Sequence, residues 1–463
     1  MNSSSIKNFI INYVLICIIL IYCLIFFVRN DFLDYSFVVI LSFIINIIYT
    51  AKKLFWNSNH EYSLYVIFWI FNLLFMSVAP LFQYLVQNFV LKNVYFNNYD
   101  FLQLNIYMFI YMNIFNITYK YTYRKKHKFI LLELKELKKS KIIINIILIL
   151  IILAFTVNFV GINNLFIRAT FEKKIYSTND NLVNFIAIFL EVIVYSACFL
   201  IIQNLEYYKQ KKHYNKTVLL FSFIPLLMII FPTSRARFIV GTVYLGMYLS
   251  LKRNFKRKKS FIISILLMLI IVLPIFSATR SYASLNDFLE NININDSYYY
   301  LIYGDFSAYT MALAGIKYVK VEGYMYGKQM ISNLLFFVPR KLWPQKMVSL
   351  GATIADYFNH THNNMDSPLI IEFYVDFGII GLILFTILLA IICARTDLLY
   401  WETLNNDRYL HKYIYPFIVI IFIFINRGAF MSTFSRMVNI LVGFLLVTPL
   451  YYKKIIKKNY IQT

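Results

Sequence analysis

Along this chain, apolar stretches of about 18 to 22 residues recur from one end to the other, the span that a bilayer core requires. Short polar segments separate them. The pattern predicts helical spans at about Phe9–Val28, Phe32–Tyr49, Tyr62–Tyr84, Phe101–Ile117, Ile142–Val160, Val183–Ile202, Val218–Phe231, Ile239–Leu251, Phe261–Ser277, Leu369–Cys393, Tyr413–Ile425 and Val438–Tyr451. Pro80 falls near the far end of the third span, where a kink is tolerated if neighbours satisfy the freed carbonyl. A transmembrane barrel would instead show short alternating segments, which the sequence lacks. The first run follows MNSSSIKN with no small-residue cleavage site, so it is expected to be an anchor and not a removed signal. One polar insertion is much longer than the rest, from about Arg280 to Asp366. Its aromatics and its Gly and Pro punctuation argue for order. The chain therefore divides into spans over 1–278, a large loop over 279–366, and spans over 367–463.

Charge orients this pattern. The basic loops carry Lys52, Lys125, Lys211, Lys256 and Arg395, and the tail carries Lys453. The positive-inside rule puts all of them on the cytoplasmic side, with both termini inside and the long loop outside. The segment YRKKHKFILLELKELKKSK has leucines at helical spacing, and an amphipathic helix on anionic lipid is expected there. The chain is 60% hydrophobic with a mean hydropathy of +0.63, which excludes an ordinary soluble protein. The net charge of +23 is spread over the loops that topology makes basic, so it calls for no nucleic-acid partner. Cys17, Cys23, Cys198 and Cys393 lie in or beside apolar runs, with no CxxC or Cys/His spacing. Neither a disulfide framework nor a zinc site is expected. No internal repeat is visible, which speaks against a two-half transporter.

Candidate chemistry lies on the outward side. An arginine near hydrocarbon costs roughly 2.5 to 3.5 kcal/mol at a helix centre, so each needs a reason. Arg235, Arg237, Arg280, Arg340, Arg427 and Arg436 lie at span ends or in the long loop, joined by Lys341 and Lys346. A ring of fixed, bidentate guanidinium groups suits a lipid-linked pyrophosphate. Arg235, Arg237, Arg280, Arg340 and Arg427 are the candidates for that role. Snorkelling to lipid phosphates, or pairing with the loop's acids, is the competing reading. Glu372 and Asp376 are four apart and would share one helix face. His360 and His362 flank Thr361, with Asp356 and Asp366 nearby; a base or a sugar contact is preferred to a metal site. His360, His362, Asp366 and Glu372 are the unranked candidates for general base toward a sugar hydroxyl, with ion pairing as the alternative for the acids. No metal or cofactor is expected.

These residues resemble a family. FFVPRKLWPQK in the long loop, EFYVDFGIIG opening the next span, and PTSRARF upstream look like segments of the Wzy-type O-antigen or oligosaccharide repeat-unit polymerases. The likeness covers about Phe231 to Leu384; the N-terminal half agrees only in being polytopic. Ser-Arg-Ala-Arg stands where a glycine often follows the first arginine, so both Arg235 and Arg237 remain candidates. The resulting expectation is an all-α polytopic membrane protein of about twelve transmembrane helices with one large extracytoplasmic loop, GT-C-like. The resemblance implies a transferase of the bacterial cytoplasmic (inner) membrane. It would pass a growing glycan from undecaprenyl diphosphate to the next lipid-linked repeat unit on the outer face, for O-antigen or capsule, without a nucleotide sugar. Expected partners are the undecaprenyl-diphosphate-linked oligosaccharide, membrane lipids and a polysaccharide chain-length regulator. An O-antigen ligase and a lipid-linked oligosaccharide flippase are the alternatives. Charges kept at span ends and in one outer loop favour an enzyme over a flippase.

Overall fold

Apolar side chains alone do not tell one helix in lipid from another, so polar groups between helices fix the packing. The computed structural model describes residues 35–56, 60, 62–125, 129–134, 258–267, 306–361, 363, 365–403, 411–447 and 450–456, with scattered positions between 147 and 269. The predicted spans at Phe9, Ile142 and Val218 lie wholly or largely outside these residues, and only pieces of those at Val183, Ile239 and Phe261 fall within them.

The described elements are, in order, α1 (Tyr35–Trp56), α2 (Leu64–Leu73), a π-helical turn (Leu74–Val78), α3 (Ala79–Val86), α4 (Asn98–Arg124), β1 (Phe129–Leu134) and α5 (Lys258–Leu267). Then come α6 (Ala308–Glu322), α7 (Lys328–Leu334), α8 (Leu350–Tyr357), α9 (Leu369–Thr403), α10 (His411–Arg427), α11 (Phe430–Val447) and β2 (Leu450–Ile456). Three stretches among them are long and apolar enough to cross a membrane: Ser36–Trp56, Leu64–Val86 and Leu369–Thr403. This is a helical membrane protein.

The packing follows the polar interruptions. In α4, Asn105 donates to Ser42 Oγ of α1 at 2.7 Å and accepts from Tyr309 of α6 at 2.9 Å. Asn113 and Asn116 of the same helix accept from Tyr49 of α1 and Tyr65 of α2, at 2.7 and 2.9 Å. Pro80 carries no N–H, and the helix widens into the π turn just before it. There Ser77 Oγ donates to the Asn72 carbonyl at 2.8 Å. The opposite end of the bundle is tied by Asp397 of α9. Its buried carboxylate accepts from Leu64 N and Tyr65 N at the start of α2, at 3.0 and 3.2 Å. It also accepts from Tyr119 of α4 and Tyr415 of α10, both at 2.6 Å.

Two expectations need correction. The basic segment after α4 contains a strand, not an amphipathic helix: β1 pairs antiparallel with β2, Phe129 opposite Ile456 and Leu134 opposite Leu450. The partner lies some three hundred residues away, so local periodicity could not reveal it. The last helix begins at Phe430 and ends at Val447, ahead of Pro449, and for the same reason 450–456 is strand where the end of a span at Tyr451 and a basic tail were expected.

Candidate active site

The long loop is substantially helical over its described part. Helix α6 is buried along most of its length, and α7 and α8 follow it. Gln83 of α3 donates to the Phe306 carbonyl at 3.0 Å, and Lys317 and Lys320 of α6 pair with Asp100 at the start of α4, at 3.3 and 3.2 Å. These contacts hold α6 against the C-terminus of α3 and the N-terminus of α4, and bonds from Ser307 and Arg427 to Asp366 and from Phe430 N to Glu372 bring the ends of α9, α10 and α11 there too.

An ion pair sits at that end. Arg427, the last residue of α10, donates from Nη2 and Nε to Asp366 Oδ2 at 2.9 and 3.1 Å. Ser307 Oγ, just before α6, donates to the same oxygen at 2.9 Å. The guanidinium lies 6.0 Å from the ring of Phe75, which belongs to the π turn. π turns of this kind often occur where a helix carries function. The two side chains keep 13% and 18% of their surface exposed, so the pair is sheltered but reachable. Such a site holds a guanidinium with strong charge-assisted bonds and leaves it able to exchange one anion for another.

The segment bearing Asp366 is fixed by close packing. A Cβ on Gly351 in α8 would lie 2.2 Å from the Met365 carbonyl oxygen, so only glycine fits there. We expect Gly351→Ala to force the Met365–Asp366 backbone away, at a cost of about 1–3 kcal/mol, the usual range for overpacking. The protein should still reach the membrane while its product yield falls; an unchanged yield would show that the position of Asp366 is not critical.

Glu372 and Asp376 do share one face of α9, and both are fully buried. Glu372 accepts from Asn333 Nδ2 of α7 at 2.9 Å, from Ser367 Oγ at 2.8 Å and from Phe430 N at 3.1 Å, which opens α11. Asp376 accepts from Gly327 N, Gln329 N and Met330 N at 3.1, 3.2 and 2.8 Å. Each carboxylate thus sits at a helix N-terminus, where orphan N–H groups and the helix dipole favour an anion. Just beyond, α9 kinks at Phe377 and Gly378. The Val375 and Asp376 carbonyls accept from Met325 N and Tyr326 N, at 3.0 and 2.9 Å. Gly378 has φ +62°, and a Cβ there would meet Tyr324 Oη at 2.7 Å.

The remaining candidates are scattered. His360 follows α8, half-buried, its N–H donating to the Ala355 carbonyl at 2.8 Å past the left-handed Asn359. Arg340 donates from Nη1 and Nη2 to the Lys346 and Met347 carbonyls at 2.8 and 3.2 Å. Lys346 Nζ in turn donates to the Phe336 and Val338 carbonyls at 2.5 and 3.0 Å. Both cations therefore staple their own loop. His362, Arg235, Arg237 and Arg280 lie outside the described residues. The structure brings Arg427 and Asp366 together, and it adds Ser307 and Asn333, for which the sequence held no distinguishing signal. Asp397 did carry one: an acid within an apolar run marks a helix contact or a functional site.

A family model described as O-antigen polysaccharide polymerase Wzy matches residues 8–459, nearly the whole chain. No curated protein and no solved structure matches it significantly.

Proposed function

The chain belongs to the O-antigen polysaccharide polymerase Wzy family, and from that premise we propose that it joins undecaprenyl-diphosphate-linked oligosaccharide repeat units at the outer face of the bacterial cytoplasmic membrane. The acceptor hydroxyl oxygen attacks the anomeric carbon of the donor's first sugar. The bond from that carbon to the phosphate oxygen breaks, and undecaprenyl diphosphate leaves with the electron pair. The acceptor's proton passes to a base. The observation that carries this reading is the sheltered Arg427–Asp366–Ser307 group, at the end of the bundle where the long loop's helices gather.

A guanidinium placed there would stabilise charge on the departing diphosphate, usually the largest part of such catalysis. Arg235, Arg237 and Arg280 are the sequence's further candidates for contacts to the diphosphate. Asp366, with 18% of its side chain exposed, and the half-buried His360 are the base candidates that remain accessible, whereas Glu372 is fully buried; His362 stays a candidate on its sequence alone. Cells lacking the protein should accumulate a single repeat unit on the lipid carrier or lipid core. Long glycan that never reaches its final acceptor would assign the chain to ligation instead.

A further inference from the structure

Helix α7 is inside-out. Gln329, Ser332 and Asn333 are buried, while Ile331, Leu334 and Leu335 are exposed. The turn after it continues the pattern, with Phe337 67% and Leu342 79% exposed. In water, a segment on the protein surface does the reverse, presenting polar groups outward and burying apolar ones. The buried face has a clear use. Gln329 Nε2 donates to Asn333 Oδ1 at 3.1 Å, Asn333 Nδ2 reaches Glu372, and the start of the helix caps Asp376. Among the described residues, none covers the outward face. Cations bracket it: Lys328 at one end, Arg340 and Lys341 at the other, all exposed.

We propose that residues 328–342 form a re-entrant foot in the bilayer, with Ile331, Leu334, Leu335, Phe337 and Leu342 on acyl chains and the three cations at the level of anionic lipid phosphates. Apolar side chains between basic ones complement an anionic bilayer surface. Polar backbone at membrane depth is tolerated where protein satisfies it: Lys346 binds the Phe336 and Val338 carbonyls of this turn, and Arg340 ties it to the Lys346 and Met347 carbonyls just beyond. The loop read from the sequence as extracytoplasmic thus returns into lipid. The polar groups around Glu372 lie beneath it, shielded from the acyl chains. Insertion stands on the exposure pattern; only the choice of the outer leaflet rests on the proposed function.

The test uses the full chain in nanodiscs containing phosphatidylglycerol. Hydroxyl-radical footprinting of the unaltered protein compares Phe337 and Leu342 with Tyr95, which is 82% exposed on the turn before α4. Protection of Phe337 and Leu342 by about tenfold or more relative to Tyr95 is expected; equal modification overturns the foot. A second measurement places an environment-sensitive fluorophore at F337C, with the four native cysteines replaced. Lipid-borne quenchers should quench it more strongly than aqueous iodide, and the opposite order is likewise fatal. Labelling of K341C by a membrane-impermeant thiol reagent in intact cells then reports the side. Labelling only from the cytoplasm would contradict the proposed function while leaving insertion intact.

Discussion

Arg427→Ala should collapse the glycan ladder to single repeat units, with the protein still present in the membrane. Removing one oriented charge contact at a comparable catalytic site costs about 3 kcal/mol, or roughly a hundredfold in rate. Arg427→Lys should recover little, because an ammonium cannot reproduce the fork that now reaches Asp366 Oδ2 through Nε and Nη2. A purely structural ion pair would also make Arg427→Ala harmful, by stranding Asp366 in a sheltered site. The two accounts part in the double variant. If the pair only holds the fold, replacing both partners by Ala removes the stranded acid and should restore much of the ladder. If Arg427 binds the donor's diphosphate, or Asp366 serves as base, the double variant stays as inactive as Arg427→Ala, and Asp366→Ala alone then tells the two roles apart. Lys173, in a basic loop by its sequence and outside the described residues, should be replaceable with little effect. A full ladder from Arg427→Ala would reduce the guanidinium to an anchor.

The elements that the sequence announces best are those whose neighbours are lipid or plain apolar helix. The run beginning at Leu369 appears as α9, and the run at Tyr62 appears as α2 to α3 with its irregularity beside Pro80. Helix α4 extends to Arg124, past the expected Ile117, because Tyr119 and Thr122 still pack into the bundle after hydropathy falls, Tyr119 on Asp397. What stayed hidden depends on distant partners. Nothing near Arg427 points to an acid 61 residues earlier. Glu372 and Asp376 were legible as two acids on one face, yet their use as caps depends on α11 and α7 arriving from elsewhere. The inverted face of α7 is only seven residues long, too short for periodicity to separate a soluble loop helix from one bathed in lipid. The family match over 8–459 reaches well past the segments at 231–384 that carried the resemblance.

Asp397→Ala should prevent stable assembly even though the residue is far from the proposed reaction. Its carboxylate accepts four hydrogen bonds, two from backbone at the start of α2 and two from the hydroxyls of Tyr119 and Tyr415. Truncation leaves those four donors buried without that acceptor, and each stranded donor costs about 1–3 kcal/mol. The hydroxyl pair Tyr62–Tyr400, 2.5 Å apart, and the stacked rings of Tyr400 and Tyr415 at 4.0 Å cannot substitute, since neither supplies an acceptor to the α2 amides. Asp397→Asn should be milder. An amide retains one acceptor oxygen, but its NH2 replaces an oxygen that accepts from one α2 amide and one tyrosine hydroxyl; the hydroxyl can reverse and the backbone N–H cannot. The expected order of stability is therefore wild type, then Asn, then Ala. It is measured by the temperature at which detergent-solubilised protein loses its monodisperse gel-filtration peak. If Asp397→Ala matched the wild type there but produced no glycan, the acid would be serving the reaction and not the bundle.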